Sequence, residues 1–163
     1  MTSTPRYVEF SPEHVDEVVA AMSTMTEAHG GWVNFEPSIP VEDVPASSSG
    51  VFSLFSGRGP AVPLGTWTPP SAPRRGRGEP AMLGLQHGAG TRVKAQLAER
   101  GHPVPEGWVV VQDYAKKGLV VAVPPTADHA EVVRWLLRAA GLLSAIPLTG
   151  WRAAVYEPRS AVP

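Results

Sequence analysis

The feature that most constrains this chain is the order of elements that its hydrophobic pattern predicts after residue 80. Short apolar runs with strand character alternate there with two stretches whose apolar residues recur at helical spacing. The predicted strands are Ala81 to Gln86, Trp108 to Asp113, Leu119 to Val123 and Trp151 to Tyr156, and the predicted helices are Thr91 to Arg100 and Asp128 to Leu143. Few topologies accept elements in this order, because connections between strands are short and do not cross.

This βαββαβ order is typical of a ferredoxin-like module. In that module the first and third strands occupy the middle of an antiparallel sheet, and both helices lie on one face. The third strand, LVVAV, is apolar throughout, as an interior strand should be, whereas the last strand carries Arg152, which favours an edge position. We therefore expect an α+β fold with a ferredoxin-like module in the C-terminal half.

The N-terminal half predicts a strand, a helix and a hairpin. The strand is Arg6 to Phe10, the helix opens at Ser11-Pro12 and ends at Gly30-Gly31, and the hairpin joins Val51 to Ser56 with Val62 to Thr68. We expect this β-α-hairpin extension to pack on the module or to extend the same antiparallel sheet, and a degenerate second copy of the module is an open alternative. The expected organisation is a single domain over residues 1–163, divided into 1–68, a loop at 69–80 and the module at 81–158.

Composition excludes several kinds of site. The chain has no cysteine, so it can form neither a disulfide, a thiolate nucleophile nor a cysteine zinc site. Its five histidines lack the spacing of zinc ligands and no cofactor motif is complete, so we expect no metal and no cofactor. A net charge of -1 and the absence of a long apolar segment predict a cytoplasmic protein with no membrane association.

The segment QHGAGT joins a predicted strand to a predicted helix through a glycine-rich turn. Backbone N–H groups at such a corner can face an anion, and the helix dipole favours negative charge there. The segment completes no phosphate-binding or dinucleotide-binding motif, and the same glycines are typical of a plain tight turn. The ligand-binding interpretation assigns the corner to Gln86, His87, Gly88, Gly90 and Thr91.

His87 is the histidine best placed for chemistry, because a nearby helix N-terminus would lower its pKa and keep the ring neutral. The acidic residue considered as its partner is Asp113. In a ferredoxin-like module we expect Asp113 to lie opposite the end of the strand that carries His87, so no dyad is expected. A structural, hydrogen-bonded role for His87 is the alternative.

The loop at 69–80 concentrates positive charge in Arg74, Arg75 and Arg77. Glycine-spaced arginines can bind phosphates or an acidic partner, and nearby Trp67 could add stacking, although a flexible solvated loop has the same composition. RNA binding on the sheet face is not expected, because the inner strands MLGLQ and LVVAV contain no aromatic residue.

Two functions compete. The first is a non-catalytic binding or interaction module, which binds a protein partner or a second copy of the chain through Trp67 and the arginine loop. We favour it over an enzyme because every catalytic constellation in the sequence lacks a partner residue. The alternative is a small-molecule enzyme, or a protein that binds a phosphate or carboxylate, with its site at the turn from Gln86 to Gly90. A deep pocket at that turn would favour the alternative.

Overall fold

The structure is a computed structural model that describes residues 4–38 and 62–158. The described strands are β1 (Arg6–Phe10), β2 (Trp32–Ser38), β3 (Leu64–Thr68), β4 (Ala81–Gln86), β5 (Val109–Tyr114), β6 (Gly118–Val123) and β7 (Gly150–Tyr156). The described helices are α1 (Asp16–Ala28), α2 (Val93–Glu99) and α3 (His129–Leu143). The predicted bounds of β1 and β4 are confirmed, and the predicted strand at Val51 to Ser56 lies outside the described residues.

The described strands form one antiparallel sheet in the order β1-β7-β2-β3-β4-β6-β5. This confirms the α+β class and the interior position of β6, between β4 and β5. The strand order does not confirm the ferredoxin-like topology, which would pair the last strand β7 with β4. Instead β7 pairs with β1 and β2, and both β2 and β3 lie between β7 and β4. Strands from both halves of the chain therefore build the same sheet.

The prediction that β7 is an edge strand is wrong. Its residues Ala153 and Val155 are 0% and 1% exposed, because neighbouring strands flank β7 on both sides. Arg152 is accommodated on an interior strand because its cross-strand neighbour is Glu36, whose carboxylate accepts a hydrogen bond from the guanidinium at 2.6 Å. The guanidinium also lies 4.5 Å from the centre of the Tyr7 ring. A charged residue in a strand therefore does not by itself indicate an edge.

The helices pack against one face of the sheet. Residues that alternate along the strands form the sheet side of the core, and they include Val8, Phe10, Val33, Phe35, Trp67, Leu83, Leu85 and Val121. The apolar stripes of α1 and α3 cover this face, and the two helices also contact each other. The opposite face carries residues such as Tyr7, Asn34 and Thr66, of which Thr66 donates a hydrogen bond to Asn34.

Helix α1 begins later than predicted. Residues 11–14 form a turn in which the His14 N–H donates to the Ser11 carbonyl at 3.0 Å, and the helix starts at Asp16. It ends at His29, which adopts a left-handed φ of 51° immediately before Gly30. This ending places the His29 side chain beside the 69–80 loop.

Candidate ligand site

A cavity of about 390 Å³ lies at the end of the sheet where strand β3 ends and strand β4 begins. The end of α1, the end of β6, the start of α3 and the 69–80 loop supply its walls. Its lining is mostly apolar and includes Trp67, Ala81, Val123, Ala127, Val132 and several prolines, and its polar groups belong to Thr26, His29, Ser71, Glu79 and His129. We call this space the Trp67 cavity. Its size and lining are typical of small-molecule sites.

Trp67 forms an inner wall of the cavity. Its side chain is only 1% exposed, because Val33 on β2 and Leu83 on β4 flank it in the sheet. The ring of His129 meets the indole edge-on, with 5.6 Å between the ring centres. Trp67 therefore forms part of the packed base of the cavity, and it is not available as an exposed anchor for a flat protein surface.

His129, the first residue of α3, is held by two hydroxyl groups of α1. Its Nδ1 lies 3.2 Å from Ser23 Oγ and its Nε2 lies 3.4 Å from Thr26 Oγ1. Burial lowers the pKa of His129, and the nearby charge of Asp128 opposes this effect. The ring is therefore neutral at pH 7, with one nitrogen as donor and the other as acceptor. These contacts orient the imidazole along the cavity wall.

The 69–80 loop forms an ordered hairpin over the cavity. The N–H of Arg74 donates to the carbonyl of Arg77 at 2.7 Å, and the N–H of Arg77 donates back to Arg74 at 3.0 Å. Between them Arg75 and Gly76 both adopt positive φ, 53° and 75°, as a type I′ turn requires. Closer to the sheet, the N–H of Ser71 donates to the Glu79 carbonyl at 3.0 Å. The backbone of this arginine-rich loop is therefore fixed by its own hydrogen bonds.

His29 connects the hairpin to α1. Its Nδ1 lies 3.1 Å from the carbonyl oxygen of Pro70, which is the distance of a hydrogen bond donated by the ring. His29 lines the Trp67 cavity and also a second depression of about 550 Å³, which is otherwise formed by residues of the loop. This contact joins the end of α1 to the roof of the site.

The second depression contains two of the three predicted arginines. Its lining consists of His29, Ser71, Ala72, Arg74, Arg77, Gly78 and Glu79, and we call it the arginine depression. Neither Arg74 nor Arg77 forms a salt bridge with another residue of the described ranges. Arg75, at the tip of the turn, lines neither space. The structure thus separates the three arginines into a pair beside the cavity and a single outer residue.

The predicted QHGAGT site has a different geometry. His87 is 1% exposed, and its Nδ1 accepts a hydrogen bond from the Ala89 N–H at 3.2 Å. Its buried Nε2 has no hydrogen-bond partner within residues 4–38 and 62–158. Burial lowers the pKa of His87, and the Asp113 carboxylate acts in the opposite direction. The expected neutral ring is therefore supported, but by burial rather than by a helix terminus.

The prediction that Asp113 lies away from His87 is wrong. Strands β4 and β5 run parallel to each other with β6 between them, so their C-terminal residues lie at the same end of the sheet. There the Asp113 carboxylate accepts hydrogen bonds from the N–H groups of Val93 and Lys94, both at 3.1 Å. A side chain of the protein itself thus occupies the position at the start of α2 that an external anion would need.

The other residues of the predicted turn lie outside both of these spaces. Gln86 and Thr91 are exposed, Gly88 is half-buried and Gly90 adopts a positive φ of 88°. None of them lines the Trp67 cavity or the arginine depression. Their role as ligand contacts stays a prediction, and the glycine conformation fits a tight turn.

Two possible association surfaces stay untested. Strands β1 and β5 are the edges of the described sheet, and β5 exposes Val109 and Val111 by 61% and 58%, so it is one edge through which the predicted homodimer could pair. On the open face of the sheet, Trp32 and Tyr156 stack on each other with 4.5 Å between ring centres. These aromatics lie on β2 and β7, and not on β4 or β6, the two strands whose lack of aromatic residues disfavours RNA binding on the sheet face.

Sequence reasoning missed His29, His129, Ser71 and Glu79 as site residues. They come from α1, α3 and the two arms of the loop hairpin, and no local motif connects them. The proline-rich character of the loop was a usable signal, because a rigid loop beside a tryptophan can enclose a cavity.

The described residues contain no group of three histidine, aspartate or glutamate side chains arranged to hold a metal ion. In the same ranges, every helix is too short or too polar to cross a bilayer.

No protein-family model, no curated protein and no solved structure matches this chain.

Proposed function

We propose that this protein is a non-catalytic binding module that holds a small, largely apolar molecule in the Trp67 cavity. The observation that carries the proposal is a mostly apolar space of about 390 Å³, walled by a buried tryptophan and roofed by an ordered loop. Burial of apolar ligand surface against such a lining supplies binding free energy, and a pre-formed wall limits the entropy that binding costs.

The burial of Trp67 favours a small ligand over a protein partner. A tryptophan that anchors a protein interface presents its ring to the partner, whereas this ring is 1% exposed and forms part of a concave wall. The loop is exposed throughout residues 71–80, its three arginines included. We therefore assign Trp67 to ligand binding and treat a protein partner at the loop as the competing form of the same proposal.

The polar groups of the cavity suit orientation of a ligand better than chemistry. His129 is in contact with two hydroxyl groups of α1, each of which also lies within hydrogen-bond distance of a carbonyl oxygen one turn earlier in the helix. The hydroxyl that donates to the acceptor nitrogen of the neutral ring therefore releases its carbonyl. Within the described residues, the Glu79 carboxylate makes no hydrogen bond or salt bridge to either histidine of the cavity. A general acid or base needs an oriented proton path to a reacting group, and this arrangement offers a positioned imidazole without one.

A second candidate function is recognition of a small molecule at the corner of His87. The buried Nε2 of His87 favours it, because the ring accepts at Nδ1 and so carries its proton at Nε2. A ligand at this corner would have to bring a hydrogen-bond acceptor to that N–H. The candidate ranks second because Asp113 already satisfies the adjacent start of α2.

The proposal is tested by titrating the purified protein with N-phenyl-1-naphthylamine, an uncharged probe that fluoresces in apolar surroundings. We expect saturable binding with a dissociation constant on the order of 1–100 μM, typical of a compact apolar ligand without charge pairing. Ala81→Phe should abolish binding, because Ala81 lines the cavity and a phenyl ring would fill it.

The matched control is Ala122→Phe. Ala122 is also a half-buried strand residue, but it lies on β6 opposite Met82 and lines neither space. We expect this variant to bind the probe as the parent protein does. Equal binding by all three folded proteins would show that the probe binds elsewhere and would refute the assignment of the cavity.

A further inference from the structure

We infer that the natural ligand is an amphipathic carboxylic acid, with its apolar body in the Trp67 cavity and its carboxylate against Arg74 and Arg77. This inference rests on the proposed function and adds the chemical class of the ligand. It follows from an apolar cavity and a cationic depression that share four of their lining residues.

The two spaces are neighbours. They share the lining residues His29, Ser71, Gly78 and Glu79, so the Trp67 cavity and the arginine depression adjoin each other. The lining of the Trp67 cavity includes Trp67, Val123 and Val132, whereas the lining of the arginine depression includes two guanidinium groups and few apolar side chains. A ligand that fills both must be apolar at one end and anionic at the other.

The hairpin places the two arginines together. Arg74 and Arg77 stand directly opposite each other across the turn, joined by the reciprocal backbone hydrogen bonds of 2.7 and 3.0 Å. Side chains of directly opposed residues project to the same face of a hairpin, and two like charges in these positions repel each other. Both line the depression and neither has an acidic partner in the described ranges. A bound anion would relieve that repulsion.

The charge balance selects a monoanion. Besides the two arginines, the depression has one acidic residue, Glu79, so its formal charge is one positive unit when His29 is neutral. A carboxylate neutralises this charge and can accept from both guanidiniums at once. A phosphate monoester carries nearly two negative charges at pH 7 and would add repulsion from Glu79.

The volume limits the apolar body. A cavity of about 150 Å³ holds one benzene ring, so the 390 Å³ Trp67 cavity has room for two to three rings, fused or linked, or for a branched aliphatic group. 1-Naphthylacetate has this size and carries one carboxylate, and 1-naphthylacetamide is its uncharged counterpart of nearly the same shape. The pair isolates the effect of the charge.

The experiment compares the affinities of these two compounds by isothermal titration calorimetry at low ionic strength. We expect the parent protein to bind the acid at least tenfold more tightly than the amide, and we expect added salt to reduce this preference. In the double variant Arg74→Gln/Arg77→Gln the preference should fall to less than about twofold, with amide binding unchanged. Arg75→Gln is the matched control, since Arg75 belongs to the same turn but lines neither space, and it should keep the preference.

The outcomes separate the two proposals. Equal affinities for acid and amide, or a preference that survives the double variant, would overturn the carboxylate assignment and leave the apolar cavity standing. Tighter binding of 1-naphthyl phosphate than of 1-naphthylacetate would also overturn it, in favour of a phosphorylated ligand. Failure of both naphthyl compounds and of N-phenyl-1-naphthylamine to bind the folded protein would refute the proposed function itself.

Discussion

At the scale of single residues, the three histidines with lowered pKa values couple stability to pH. Burial favours the neutral rings of His87, His102 and His129, so the unfolded chain, with histidine pKa values near 6.5, binds protons more readily than the folded chain. Their contribution to stability is therefore complete above pH 6.5, and it is lost as the pH falls below 6.5 toward the lowered values of the folded protein. The loss is at most about 1.4 kcal/mol per pH unit for each ring.

His87 offers the clearest test of this coupling. Protonation of its Nδ1 would replace the hydrogen bond from Ala89 N–H with a contact between two donors. We expect the free energy of unfolding, measured by urea denaturation, to be lower at pH 5.5 than at pH 7.5, and His87→Gln to show a smaller decrease over this interval. An unchanged decrease in a folded variant would assign the pH dependence to the other histidines.

The site residues show why sequence reasoning found only part of the site. Trp67, Arg74, Arg75 and Arg77 could be singled out because residue type and loop composition are local properties. His29 and His129 could not, since the end of α1 and the start of α3 meet only after the sheet has brought their elements together. The separation of Arg75 from Arg74 and Arg77 depends on the type I′ turn. This turn requires a positive φ at Arg75, and arginine has no preference for that conformation, so the sequence does not predict it.

At the scale of elements, the turn between β5 and β6 depends on Gly118. This residue has a φ of 78°, and a Cβ atom there would collide with the carbonyl oxygen of Leu85 on the neighbouring strand β4. We expect Gly118→Ala to lower the free energy of unfolding by about 2–4 kcal/mol, through backbone strain and overpacking together.

Gly107→Ala is the matched control for this substitution. Gly107 has a similar φ of 86°, but a Cβ atom there would meet no atom within 4 Å. It should cost only the strain of the left-handed conformation, about 1–2 kcal/mol. Urea denaturation measures both variants, and equal losses would show that β4 moves away from the turn at little cost.

The elements also show how far local pattern reaches. Apolar residues in short runs placed β1 and β4, and the wholly apolar LVVAV run placed β6 between other strands. Local composition is enough for these assignments, although only one face of β6 is fully buried. The strands that pair with β7 could not be predicted from local sequence in this way. Pairing between distant strands depends on the whole sheet, and the carboxylate that accommodates Arg152 lies on β2, far away in the sequence.

At the scale of the whole molecule, the C-terminal half is not an independent module in this sheet. Strand β7 has no pairing with β4, β5 or β6, and its neighbours β1 and β2 belong to the N-terminal half. A fragment of residues 81–158 would leave the apolar residues Trp151, Ala153 and Val155 without the strands that flank them.

We expect this fragment to lack a cooperative unfolding transition in urea, monitored by circular dichroism, because it loses both neighbours of β7 and the covering helix α1. The intact chain under the same conditions is the control. Cooperative unfolding of the fragment would mean that β7 can pair with β4 when β2 and β3 are absent, as in a ferredoxin-like module.

The interior position of β7 also constrains the order in which the chain can fold. Arg6 pairs with Val155 and Trp32 with Tyr156, so the gap between β1 and β2 stays open on the ribosome until residues 150–156 have emerged. Contacts between such distant parts of a chain form slowly, and unpaired strand edges favour aggregation in the meantime. The nascent N-terminal half must therefore wait, with β1 unpaired, for the strand that completes its part of the sheet.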